Sequence, residues 1–131
     1  MYPSTGQAQV PKSHLRFSPA RRVGGWLLVS GQASVDAQGR IVNDSFEQEM
    51  RRSFENVRQI LAAYGMDFGD VVQVRAYVGK QEDLSEYNQI YRALFSPPFP
   101  ARTTLIGCLG DLLKFEVDVT AFRESTSEET S

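Results

Sequence analysis

One cysteine and one histidine stand among 131 residues, and this scarcity removes several kinds of chemistry. With Cys108 alone, no intrachain disulfide can form. A disulfide-stapled secreted scaffold is therefore set aside, and the cytoplasm is the expected compartment. His14 has no H-x-x-H or C-x-x-C company that could build a metal site, so it reads as an ordinary surface or edge residue. No apolar run approaches the ~20 residues of a membrane helix, and the first residues lack an apolar leader core, so no membrane association is expected. A nucleophile elbow, a P-loop and a dinucleotide fingerprint are all missing. Excess charge of one sign is missing too: 14 Lys and Arg face 16 Asp and Glu, a net charge of −2. The chain offers no basic field to a phosphate backbone, which argues against nucleic acid and for a small-molecule partner.

What is present suits one globular domain: 41% of residues are hydrophobic and 23% charged, within a length too short for two independent cores. Residues 1–13 read as a flexible N-terminal segment, 14–123 as the domain and 124–131, polar throughout, as a disordered tail. Trp26-Leu-Leu-Val-Ser30 is an apolar run without alternation after Gly24-Gly25, which predicts a strand covered on both faces, with an upstream partner between His14 and Arg22. Ser45 and Gln48 predict a capping box that opens a helix. Phe46, Met50, Phe54, Val57, Leu61 and Tyr64 follow at helical spacing, and Gly65 supplies a left-handed stop. Val71 to Val78 alternates Val72, Val74, Ala76 and Val78 against Val71, Gln73, Arg75 and Tyr77, as a strand does. Asp83 with Glu86 predicts the cap of a second helix carrying Leu84, Tyr87, Ile90, Tyr91, Leu94 and Phe95, stopped by Pro97 and Pro98. Strands over Thr103–Cys108 and Lys114–Phe122 complete an α+β domain.

Two helices cover one face of such a sheet. The other would carry Gln73, Arg75, Tyr77, Glu116, Asp118 and Thr120, the surface either of a homo-oligomer with interfacial clefts or of a half-solvated sheet. Cys108, on a strand among apolar residues, reads as a buried small hydrophobe. Arg102, in Phe99-Pro-Ala-Arg-Thr-Thr, is delivered by a proline-stiffened loop to the start of a strand. Its guanidinium fork matches a carboxylate, which is either a small organic acid or a structural Asp or Glu partner. Glu116 would point away from the helices, where its carboxylate either activates a water or forms an interface ion pair.

Six segments in order, Val29-Ser-Gly-Gln32, Ser53-Phe-Glu-Asn-Val57, Asp70–Val78, Tyr87-Asn-Gln-Ile-Tyr91, Pro100-Ala-Arg-Thr103 and Lys114-Phe-Glu-Val117, resemble the Rid family, also called the YjgF family, from about Leu15 to Phe122. The resemblance implies a chorismate-mutase-like mixed β-sheet with two helices on one face, assembled as a homotrimer with clefts between subunits. It implies hydrolysis of reactive 2-imino or 2-enamino acids to 2-oxo acids and ammonia, without a cofactor. By the same carry-over Arg102 would hold the substrate carboxylate. Glu116 and the carbonyl of Thr104 would orient the attacking water, while Gly31, Asn88 and Phe17 would line or support the pocket.

Four departures mark the chain. Phe17 stands where deaminating members usually carry tyrosine, and Pro19 replaces a glutamine. Ile106 stands where a glutamate is usual, and the Arg102-to-Glu116 spacing is one residue short, which the loop near Gly110 would absorb. Two other classes stay open: a noncatalytic carboxylate-binding module, which would need Arg102 but not Glu116, and an endoribonuclease. The latter would need basic and aromatic residues around the cleft, for which Arg16, Arg21 and Arg22 near Phe17 are the only cluster.

Overall fold

The computed structural model describes residues 16–124; His14, the segment 1–13 and residues 125–131 lie outside them. Five strands and two helices follow in the order β1 (Ala20–Val23), β2 (Trp26–Ala33), α1 (Phe46–Ala63), β3 (Val71–Val78), α2 (Leu84–Leu94), β4 (Ala101–Ile106) and β5 (Phe115–Phe122). The strands form one mixed sheet in the order β1-β2-β5-β3-β4. β5 runs antiparallel to both β2 and β3, and β4 runs parallel to β3. The chain therefore makes two crossovers, β2-α1-β3 and β3-α2-β4. Both helices lie on one face, and β5 is inserted last between β2 and β3.

Helix α1 starts where its side chains dictate. Ser45 caps it, its hydroxyl accepting from the Gln48 N–H at 3.2 Å. The reciprocal half of the expected box is not made, because the Ser45 N–H goes instead to Asp44 Oδ1 at 2.8 Å. Gly65, at φ +75°, ends the helix in the left-handed region that side chains avoid. The stripe Phe46, Met50, Phe54, Val57 and Leu61 is buried against Val74, Ala76, Val78, Phe115, Val117, Val119 and Ala121 of the central strands. Phe54 sits within 6.0 Å of the rings of Phe68, Phe95 and Phe115.

Glu49 locks this layer to the sheet. It is fully buried and accepts from the Asp44 N–H at 3.0 Å, the Lys114 N–H at 3.0 Å and the Lys114 ammonium at 3.2 Å.

Several expectations change. Asp83 does not cap α2 with its side chain: a 3-10 turn over Gln81–Asp83 precedes the helix, so Asp83 already has helical dihedrals. In β3 the alternation breaks at the first step, with Val71 buried and Val72 exposed, because the register with β5 slips between Val71 and Gln73. β4 ends at Ile106, and Gly107, at φ +84°, turns the chain out, so Cys108 is exposed rather than buried in a strand.

β2 is not covered on both faces within the chain: Leu27 and Val29 are buried, whereas Trp26 and Leu28 are about half exposed. The outer face across the sheet carries Thr120, Asp118, Glu116, Arg75, Tyr77 and Leu105. There Asp118 accepts from Arg75 at 2.9 Å and from the Tyr77 hydroxyl at 2.9 Å. Among the described residues no helix is long and apolar enough to cross a membrane, and no cluster of three or more His, Cys, Asp or Glu could hold a metal.

Candidate active site

Arg102 is the second residue of edge strand β4. It registers with Val74, which is fully buried against the helices, so its side chain leaves the sheet on the helix side. There it meets α2. The guanidinium carbon lies 4.6 Å from the ring centroid of Tyr91 and 5.1 Å from that of Tyr87, and Nη1 donates to Asn88 Oδ1 at 3.0 Å. Tyr87 and Tyr91, one turn apart, form an aromatic floor that attracts the cation through its ring quadrupoles. The Tyr87 hydroxyl shares a 2.8 Å hydrogen bond with Thr104 Oγ1. Burial raises both phenol pKa values while the field of Arg102 opposes the shift. Both hydroxyls are therefore neutral at physiological pH.

Among the described residues no carboxylate pairs with Arg102, so the structural ion pair is not its role in the isolated chain, and the remaining fork can take a ligand carboxylate. A groove of about 290 Å³ opens beside it, lined by Asn88, Tyr91, Arg92, Phe99, Pro100 and Arg102.

Glu116 lies elsewhere. It is the second residue of β5, on the face away from the helices, registering with Tyr77 on one side and Ala33 on the other. Between Val29 and Gln32 the β2 register slips by one residue, so Ser30 and Gly31 together oppose Asp118. This bulge brings Gly31 against Glu116 so closely that a Cβ at residue 31 would collide with the carboxylate. Half-burial first, and the nearby charge of Asp118 second, raise the Glu116 pKa above that of an ordinary glutamate.

The bulge is pinned from outside the strand. The Ser30 N–H donates to the Pro19 carbonyl at 2.8 Å, and its hydroxyl to the Ser18 carbonyl at 2.6 Å. Phe17, about half exposed, immediately precedes that tie.

The candidate residues thus fall into two groups. Arg102, Asn88 and Thr104 gather on α2 and β4; Glu116, Gly31 and Phe17 gather where β2 and β5 meet the segment before β1. Arg102 and Glu116 are separated by β3, roughly 10 Å across the sheet at the usual strand spacing, and project from opposite faces. Helical spacing shows Tyr87 and Tyr91 as the core residues they are, but not their second role under Arg102, nor the Asp118 link to Arg75 and Tyr77. The i, i+4 spacing of the tyrosines around Asn88 was the available signal.

The family model described as endoribonuclease L-PSP matches residues 7–123. The 2-iminobutanoate/2-iminopropanoate deaminase of Salmonella typhimurium is 31% identical over 105 residues, 77% of this chain and 82% of that protein. A RutC family protein of Pyrococcus horikoshii is 29% identical over 116 residues, 87% of this chain and 92% of its own length. Among solved structures, RidA of an Antarctic Psychrobacter superposes with a TM-score of 0.80 at 25% identity, covering 88% of this chain and 94% of that one. The YjgF product of E. coli superposes at 0.78 and 27% identity, with 88% and 94% coverage.

Proposed function

Since the chain belongs to the endoribonuclease L-PSP family, the Rid family of the sequence resemblance, we propose that it hydrolyses reactive 2-imino and 2-enamino acids to 2-oxo acids and ammonia. The reaction takes place in cytoplasmic clefts that two subunits complete. The observation that carries this reading is the Arg102 guanidinium, stacked on Tyr87 and Tyr91 and held by Asn88, with no carboxylate partner among the described residues. Relatives that carry the deaminase name support it.

An imine carbon is already electrophilic, so the protein's task is orientation and a placed water rather than covalent attack. Arg102 takes the substrate carboxylate in its fork. Glu116 and the Thr104 carbonyl hold a water against C2. As the water oxygen bonds to C2, the C=N pair moves to nitrogen and Glu116 accepts the water's proton. Glu116 returns that proton to nitrogen, giving the carbinolamine; the hydroxyl proton then passes to nitrogen as C=O forms and the C–N bond breaks, so ammonia leaves with both protons of the water. The sum is imine plus water to 2-oxo acid plus ammonia, with no redox change.

The separation of Arg102 from Glu116 in one chain supports a cleft between copies. The outer sheet face, with exposed Trp26, Leu28, Val72 and Leu105 among polar groups, supports the face-to-face assembly. We read that assembly as a homotrimer with a chorismate-mutase-like sheet at its centre.

The test is ammonia or 2-oxo acid release from 2-iminopropanoate and 2-iminobutanoate generated in situ by an amino-acid oxidase. Acceleration by the wild type that vanishes in Arg102→Ala is the expected result. Equal rates with and without the protein would replace catalysis by a binding role.

A further inference from the structure

The groove beside Arg102 contains a second cation that the deamination chemistry does not use. Arg92 follows Tyr91 directly and stands four residues after Asn88, the residue that holds the Arg102 guanidinium. It therefore shares a side of α2 with Asn88, one turn and roughly 6 Å further along the helix axis. Arg92 lines the same groove as Arg102, and no carboxylate does. Among the described residues no ion pair occupies Arg92. Apart from Asn88, the rest of the groove's lining is aromatic or apolar: Phe99 stacks on Tyr91 with ring centroids 6.4 Å apart, and Pro100 joins them. A groove lined by two cations and an aromatic wall matches a molecule with two anionic groups joined by methylenes.

We propose that Arg92 binds a distal carboxylate and so directs the protein toward 2-imino dicarboxylates of the size of 2-iminosuccinate and 2-iminoglutarate. Here the 2-carboxylate occupies the Arg102 fork, the methylenes lie over Tyr91 and Phe99, and the far carboxylate meets Arg92. The assignment rests on the deaminase reading of the Arg102 site. The competing role for Arg92 is to complement the C-terminal dipole of α2, in whose last turn it lies. That role would affect stability but not the choice between substrates.

The experiment compares kcat/KM for 2-iminoglutarate and 2-iminopropanoate, generated by oxidation of glutamate and alanine, in the wild type, Arg92→Ala and Arg92→Lys. Calorimetric binding of the stable acids 2-oxoglutarate and 2-oxobutanoate runs in parallel. The wild type should favour the dicarboxylate in both measurements. Arg92→Ala should lower the dicarboxylate-to-monocarboxylate ratio about ten- to a hundredfold, as expected for loss of a charge-assisted pair, with Arg92→Lys intermediate. Ratios equal in wild type and Arg92→Ala, while hydrolysis still depends on Arg102, would overturn the assignment and leave the deaminase reading standing. Absence of any hydrolysis, with 2-oxoglutarate still bound through Arg92, would overturn the deaminase reading and uphold the second anion site.

Discussion

Arg102 and Glu116 project from opposite faces of one sheet with β3 between them, Arg102 registering with Val74 and Glu116 with Tyr77. The proposed cleft between subunits would therefore draw them from different copies of the chain. The Arg102→Ala and Glu116→Gln variants should each lose activity about a hundredfold, yet restore part of it when co-expressed. Random mixing leaves each half of a cleft intact half the time, so about a quarter of clefts are whole in a closed cyclic assembly. Deaminase activity of the mixture near that fraction is the expected outcome. A mixture no better than its parents would place both residues in the same chain's site.

The base role proposed for Glu116 needs the ionised carboxylate, and burial and then Asp118 raise its pKa. The acidic limb of the kcat/KM profile should therefore lie above the ordinary glutamate value, with activity falling as pH drops through it. Asp118→Asn removes the neighbouring negative charge and releases Arg75 from its 2.9 Å pair. Both effects favour the Glu116 anion, so the limb should move to lower pH. A limb that stays in place would show that another group controls it.

The elements that carry their own periodicity were legible in the sequence. Helix α1 from Ser45 to Gly65 and strand β3 each declare a face through spacing alone, and the alternation of β5 puts Glu116 on the face away from the helices. What depends on register was not legible. The bulge at Ser30-Gly31 and the slip at Val71-Val72 follow from how β5 enters between β2 and β3, a pairing between segments far apart in the chain. The exposure of Cys108 is hidden for a similar reason: an apolar run does not reveal that Gly107 turns it out of the sheet. Arg102 was recognisable from its proline-stiffened approach, but its tyrosine floor required knowing that β4 lies parallel to β3 beneath α2.

Gly31→Ala tests the bulge without attacking the fold. The atoms that a Cβ would meet all belong to the Glu116 side chain, with a carboxylate oxygen nearest, and that flexible side chain can swing away. The variant should unfold within a few degrees of wild type, while kcat falls by tenfold or more because the carboxylate has left its place. Thermal unfolding and kinetics on one preparation separate the two effects. A large loss of stability would show that the glycine serves packing rather than the position of Glu116.

Glu49 links the start of α1 to the entry of β5, two residues before Glu116, and it does so while fully buried. Glu49→Ala leaves the Asp44 and Lys114 N–H groups without their acceptor and should cost about 2 to 4 kcal/mol of folding stability. Glu49→Gln keeps the shape but presents an amide donor where Oε2 now receives both the Asp44 N–H and the Lys114 ammonium, so it should recover less than half of that loss. Guanidinium denaturation midpoints for the three proteins measure the order directly. If the glutamine variant equalled the wild type, shape rather than hydrogen-bond acceptance would be what position 49 supplies.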